Sequence, residues 1–153
     1  MIPIEQEKVV ILVPPQLDTA AAPASLTYID TLGYSHLRVE YIIGANDIAT
    51  TAAPKLQSCT ASGGTYADIS GAALAAAISA TDDGKVFAID VDLTKSVDAA
   101  GAAIERYIKT LITCGTTSTA GTALCVLGRL SRKSSGQHNG LATDSGLEEL
   151  VSV

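Results

Sequence analysis

The chain has few of the residues that usually build a core or a charged surface. It contains no tryptophan, one phenylalanine and three cysteines, and aromatic residues make up 4% of its 153 positions. Charged residues make up 17%, where about 25% is ordinary for globular proteins. The exposed surface must therefore be unusually neutral, and we expect a partner to cover part of it. A chain of this length is predicted to form one compact domain.

The scarcity of cysteine argues against a disulfide framework. Cys59, Cys114 and Cys125 cannot all pair, and acidic residues stand where a secretory signal would carry basic ones. We expect three reduced, buried thiols, with a Cys114–Cys125 bridge as the alternative. No second cysteine or histidine lies at zinc-ligand spacing.

Long apolar runs are also missing. Residues 110–128 carry no charge, but six threonines and three glycines interrupt them. A membrane-spanning helix needs a far more continuous apolar stretch. We interpret the segment as a β-hairpin that joins the last two strands, and we expect no membrane association.

The net charge of −6 is unevenly distributed. Residues 1–105 carry −8, residues 106–133 carry +5 and residues 134–153 carry −3. An acidic chain is a poor candidate for binding nucleic acid, because that affinity comes largely from neutralising phosphates. The basic stretch is either an internal partner for the acidic remainder or a docking patch.

Period-two alternation predicts β-strands. HLRVEYIIG (36–44) and VFAIDVDL (86–93) alternate most regularly, and the turn sequence TDDGK precedes the second. Residues 25–33 are predicted to form a strand beside 36–44. The alanine-rich residues 70–80 fit a helix, a loop or an edge strand. Together the patterns predict a mainly β fold, an antiparallel β-sandwich of jelly-roll or Ig-like type with seven to eight strands.

The ends of the chain differ from the predicted sandwich. The sandwich occupies residues 1–133 and begins with an N-terminal arm, residues 1–6, before the β-branched run EKVVILVPP. Residues 134–153 are polar and dotted with glycine, and predict a C-terminal tail with a short terminal anchor.

The acidic residues offer one candidate site. Asp90 and Asp92 share a strand face, and Asp82 and Asp83 precede them in the turn. Such carboxylates suit a calcium ion or an acid pair for glycoside cleavage. The loop lacks the dense oxygen ligands of a calcium-binding loop. We therefore predict a solvated strand face and no metal site.

Other catalytic signals are weak. His36 and His138 are the only histidines, and no GxSxG sequence marks a nucleophilic serine. ASGGT (61–65) lacks the lysine of a phosphate-binding loop. The five tyrosines could form a sugar-stacking platform, but without tryptophan we predict ordinary packing. We expect no enzyme activity, no catalytic residues and no cofactor.

Three stretches resemble small structural proteins that decorate, or cement, the heads of tailed bacteriophages. These stretches are IDTLGYSHLRVEYIIGANDIATTAAPKLQ (29–57), SATDDGKVFAIDVDL (79–93) and RYIKTLITCGTTSTAGTALCVLGRLSR (106–132). The resemblance implies a non-enzymatic β-sandwich that binds the outer surface of neighbouring capsomers and stabilises the capsid. The arm and the tail lie outside it.

The implied partners are the major capsid protein and further copies of this chain, which we expect to form a homotrimer. The implied location is the virion surface, after synthesis in the cytoplasm of a bacterial host. We predict that the arm, the basic stretch and the terminal anchor make the capsid contacts. These contacts are Ile2, Ile4, Arg129, Arg132, Lys133, Leu147, Leu150 and Val151.

Two other functions fit the same sequence. One is a receptor- or glycan-binding sandwich displayed on the virion, and the other is a tail or neck component. Retention on a glycan array would favour the first, and attachment to empty heads would favour cement.

Overall fold

A computed structural model describes most of the predicted sandwich. The described residues are 7–18, 27–44, 50, 52–113, 122–132 and 147–152, with backbone alone at 7, 16–18, 122–123 and 147–152. Every regular element in these ranges is a strand. The strands are β1 (Glu7–Asp18), β2 (Ile29–Asp30), β3 (His36–Ile43), β4 (Lys55–Cys59), β5 (Ala67–Ala73), β6 (Val86–Asp92), β7 (Tyr107–Leu111), β8 (Thr122–Ser131) and β9 (Leu147–Ser152).

The strands form two sheets that pack as a sandwich. Sheet A has the order β1-β8-β3-β6-β9, and sheet B has the order β2-β7-β4-β5. Neighbouring strands are antiparallel except β6 and β9, which run parallel. The predicted mainly β sandwich is confirmed. Within the described ranges, no helix is long and apolar enough to cross a membrane.

Two predicted strand pairings are wrong. β7 and β8 do not form a hairpin, because β7 lies in sheet B and β8 in sheet A. β2 and β3 are likewise in different sheets, although only five residues separate them. In each case a strand buries its apolar face by joining the opposite sheet, and alternation alone cannot reveal that choice.

The core lies between the sheets, where inward-facing residues of both meet. Its largest fully buried members in sheet A are Leu12, Leu37, Tyr41, Ile89 and Leu130, and in sheet B they are Ile29, Leu56 and Ile108. The Tyr41 hydroxyl and Thr110 Oγ1 form a buried hydrogen bond of 2.7 Å between the sheets. Burial raises the pKa of Tyr41 well above its ordinary value of 10.

A glycine on β8 brings the sheets close together. A Cβ atom at Gly128 would clash with Ile29 Cδ1, which belongs to sheet B. No side chain larger than hydrogen fits there unless Ile29 moves. Gly128 therefore explains how a chain with few large residues closes its core.

The edges of the sheets resolve the ambiguous segments. Pro14 and Pro15 lie in β1, an edge strand of sheet A, where a missing N–H is tolerated. Residues 70–80 are not helical: β5 ends at Ala73 as the edge of sheet B, and irregular chain follows. The predicted tail contains one further strand, β9, which extends sheet A.

Candidate functional site

Sheet A carries polar side chains on the face opposite the core. The register places His36 opposite Asp92, and Arg38 opposite Asp90. The prediction of a solvated face is wrong, because Asp90 is 2% exposed, Asp92 7% and His36 0%. β3 and β6 are inner strands of sheet A, so their side chains are flanked on both sides. Charged residues tolerate such burial only when they are paired.

The pairing takes the form of a charge ladder across three strands, made of Arg129, Glu40, Arg38, Asp90 and His36. Arg129 Nε lies 2.9 Å from Glu40 Oε2, and Arg38 Nε lies 3.1 Å from Glu40 Oε1. Arg38 Nη1 is 3.9 Å from Asp90 Oδ2, and His36 Nε2 is 3.4 Å from Asp90 Oδ1. Charges of opposite sign alternate from Arg129 through Glu40 and Arg38 to Asp90, which offsets much of the cost of burying them.

Contacts at the buried end of the ladder are electrostatic more than directional. Arg38 Nε, Arg38 Nη1 and Asp90 Oδ1 make no aligned hydrogen bond with any described residue, although each lies within 3.9 Å of an ionisable side chain of Glu40, Asp90 or His36. Removing one partner would leave the other buried without compensation.

Asp92 and Asp82 accept hydrogen bonds from residues that are close to them in the sequence. Thr94 Oγ1 and Thr94 N donate to Asp92 Oδ1 at 2.6 and 3.0 Å, and this holds the pKa of Asp92 below its usual value. Asp82 accepts from Ser79 N at 2.6 Å and from Lys85 Nζ at 3.1 Å. Asp90 and Asp92 therefore serve different partners. Across the described part of the chain, no three His, Cys, Asp or Glu residues are grouped to hold a metal ion.

One row of sheet A places a serine beside a histidine and an acid. Ser131 is the register partner of His36, which contacts Asp90. No motif in the sequence predicted that these three residues lie together. A serine nucleophile must be reached by its substrate, and Ser131 is 3% exposed while His36 is fully buried. In this arrangement the row supports packing of sheet A rather than hydrolysis.

The outer face of sheet B is open and aromatic. We call it the tyrosine face: Tyr28, Tyr66 and Tyr107 with Arg106 and Lys109. The rings of Tyr28 and Tyr107 meet edge to face, with centroids 5.4 Å apart. Arg106 lies 5.1 Å from the Tyr107 ring centre, and Lys109 Nζ lies 4.1 Å from that of Tyr66. The sequence offered these tyrosines as a possible sugar-stacking platform, but ordinary packing was predicted. Their grouping with Arg106 and Lys109 was not predicted, although the alternation in RYIKTL places Tyr107 and Lys109 on one face.

Paired charges surround the tyrosine face. Arg106 donates to both carboxylate oxygens of Asp30, at 2.7 and 2.6 Å, and these bonds lower the pKa of Asp30 to about 2. Asp68 accepts from Lys55 Nζ at 2.5 Å and from Gln57 Nε2 at 2.8 Å. Unlike Arg38 and Asp90 in the charge ladder, these side chains are partly exposed.

A third surface lies at the edge of sheet A. We call it the β1 patch: Val9 and Ile11 of β1 with Arg129 of β8. Val9 is 56% exposed and Ile11 54%, and Val9 pairs with Arg129 in the register. Ile42, in β3 on the same face, is 37% exposed. The patch therefore combines exposed aliphatic side chains with a basic one.

The predicted capsid contacts fall into three groups. Arg129 lies in the β1 patch, and Arg132 is exposed, 5.9 Å from the ring centre of Tyr34. The backbone of Leu147, Leu150 and Val151 forms β9. Outside the described residues lie Ile2, Ile4 and Lys133. The structure thus brings one predicted contact, Arg129, together with apolar residues that the sequence did not single out.

The described thiols are not paired. Cys59 is free and buried, and Cys125 is free and half-buried, where burial raises its pKa. The alternative bridge to Cys125 is therefore not formed. Cys114 and His138 lie outside the described residues.

Comparison with known proteins gives no relative. No family model, no curated protein and no solved structure matches the chain.

Proposed function

We propose that this chain is a non-enzymatic virion protein that decorates the head of a tailed bacteriophage. On this proposal it binds the outer surface of neighbouring capsomers as a homotrimer and stabilises the shell. The resemblance of residues 29–57, 79–93 and 106–132 to head decoration proteins supports it, as does the β-sandwich fold.

The β1 patch is the observation that carries the proposal. Two large aliphatic residues, Val9 and Ile11, stand more than half exposed on an edge strand beside Arg129. Covering the exposed half of each would contribute on the order of 1 kcal/mol. That is too little for one firm contact, but three copies in a trimer multiply it through a high effective concentration.

Attachment would stabilise the shell by linkage. A protein that binds assembled capsomers and not free subunits shifts the equilibrium toward the assembled state. Decoration therefore needs no chemical step, only a stiff domain and a complementary surface. The melting temperature of the capsid should rise with occupancy.

The test is co-sedimentation of the purified protein with empty capsids that lack it, together with capsid calorimetry. We expect saturable binding, a higher capsid melting temperature and a trimer by analytical ultracentrifugation. The double variant Val9→Asp/Ile11→Asp should lose binding, whereas Leu32→Asp should not. Leu32 is 66% exposed in a turn outside the β1 patch, so it is a matched control.

Two outcomes would contradict the proposal. If Val9→Asp/Ile11→Asp bound capsids as well as Leu32→Asp does, the β1 patch would not contact the capsid. Attachment to tails but not to heads would assign the protein to the tail or neck. Deletion of residues 134–153 is a poor test, because it also removes β9 from sheet A.

A further inference from the structure

The tyrosine face lies on the opposite side of the sandwich from the β1 patch. The patch belongs to the outer face of sheet A, and the tyrosines belong to the outer face of sheet B. A protein attached through one face of a two-layer sandwich presents the other face to solvent. The two surfaces can therefore be occupied independently.

The aromatic rings of the tyrosine face are held in place before any ligand arrives. Tyr28 is 44% exposed and rests edge-on against Tyr107. The Tyr66 hydroxyl donates to Ser62 O at 3.0 Å, while Lys109 lies over its ring. Rings with fixed orientation lose little entropy on binding. An exposed, oriented ring can stack on the C–H face of a sugar.

The polar groups of the same face suit hydroxyl recognition. The pairs Arg106–Asp30 and Lys55–Asp68 present oriented donors and acceptors in partly exposed positions. Asp68 also orients the Gln57 amide. Protein partners are less well matched, because interface cores are depleted of charge, and in the described strands of sheet B Leu111, the last residue of β7, is the one exposed large aliphatic side chain.

The charge of the tyrosine face indicates which class of sugar it would bind. Three cationic side chains (Lys55, Arg106, Lys109) face two carboxylates (Asp30, Asp68), and Lys109 makes no ion pair with any described residue. The face is therefore locally positive on a chain of net charge −6. A ligand that carries carboxylates complements it.

We propose that the tyrosine face binds an acidic polysaccharide, with Tyr28 stacked on a sugar ring and Lys109 paired with a sugar carboxylate. This site is separate from capsid attachment. It would give a decorated particle a second function, retention on a carboxylate-bearing glycan surface.

The test is calorimetric titration of the full chain with hexagalacturonate, and with maltohexaose as the neutral counterpart, followed by an array of carboxylated glycans. We expect saturable binding of an acidic glycan that weakens as salt rises, and binding of the neutral sugar at least about tenfold weaker. Tyr28→Ala and Lys109→Gln should each weaken binding about tenfold, whereas Tyr28→Phe and Lys109→Arg should retain most of it.

Lys95→Gln is the charge-matched control, since Lys95 is 80% exposed on the turn after β6. An equal loss in Lys95→Gln would mean that only net charge matters, and would overturn the proposal. So would the absence of binding to every acidic glycan tested. Loss of capsid attachment in the Tyr28 and Lys109 variants, without glycan binding, would instead make this face a protein contact. Capsid attachment by the wild-type chain is scored separately, so the two proposals can fail independently.

Discussion

The outer faces of the two sheets use the same kinds of charged residue in opposite ways. On sheet A, Arg38 and Asp90 are at least 95% buried and belong to the charge ladder. On sheet B, Lys55 and Asp68 form a pair whose side chains remain 35% and 40% exposed. The Arg38–Asp90 pair is almost fully shielded from solvent, and the Lys55–Asp68 pair remains accessible to it.

This difference decides what each pair can do. Each member of a buried pair is stabilised by the opposite charge of the other, so removal of one member leaves the other as an uncompensated buried charge. An exposed pair is screened by water and salt and contributes little to stability. The buried centre of the outer face of sheet A, at Arg38 and Asp90, is therefore committed to holding the fold, while the outer face of sheet B keeps charged groups that a ligand can reach.

Breaking the charge ladder should have the largest effect. Asp90→Ala removes the carboxylate that contacts both Arg38 and His36. We expect the free energy of unfolding to fall by about 3 kcal/mol or more, because Arg38 stays buried with less compensation. Urea denaturation followed by circular dichroism measures this change.

Glu105→Gln is the control for that variant, because Glu105 is an exposed acid. It should change stability by less than about 0.5 kcal/mol. In the double variant Arg38→Met/Asp90→Leu, much of the lost stability should return, since no charge is left unpaired. A small effect of Asp90→Ala would mean that the ladder is hydrated and resembles the pairs on sheet B.

The link between the two sheets should give an intermediate effect. Tyr41→Phe leaves the buried Thr110 hydroxyl without its 2.7 Å partner. We expect a loss of about 1 kcal/mol in the free energy of unfolding. Tyr28→Phe, at the exposed ring, should change it by less than half as much. If both variants behaved alike in urea denaturation, the Tyr41 hydroxyl would be reaching water.

Local alternation predicted most strands well. β3 and β6 fall within one residue of their predicted bounds. These predictions succeed because the alternation of buried and exposed side chains along a strand can be recognised from residues that are adjacent in the sequence. The parallel strand β9 was missed, because its partner β6 lies more than fifty residues away and LEELVS does not alternate.

The candidate surfaces were harder to predict. Alternation shows that His36, Arg38 and Glu40 share a face, but not that neighbouring strands bury it. The tyrosine face draws Tyr28, Tyr66 and Tyr107 from distant parts of the chain through the pairing of β2, β7, β4 and β5. Such clusters depend on strand order, which the sequence pattern left open.

Removing an exposed pair on sheet B should have a small effect. Asp68→Asn abolishes the ion pair with Lys55 and can still accept a hydrogen bond from Gln57. We expect a loss of about 0.5 kcal/mol or less in the free energy of unfolding, and less at high salt. A loss as large as that of Asp90→Ala would contradict the contrast between the two faces.

The smallest effect should appear only in acid. Arg106 holds the pKa of Asp30 at about 2 in the folded chain, against an ordinary value of 3.8. A carboxylate with a lowered folded pKa contributes stability above its unfolded pKa and loses it as the pH falls through the folded pKa. Wild type should therefore be slightly more stable than Asp30→Asn above pH 3.8, and the difference should shrink as the pH falls from 3.8 to 2 and vanish below pH 2.

Urea midpoints measured across this range and below it test the prediction, with Glu105→Gln, at an exposed acid, as the reference. A difference that persisted well below pH 2 would show that Asp30 acts through shape rather than charge, and Arg106–Asp30 would then not be an exposed ion pair available to a ligand.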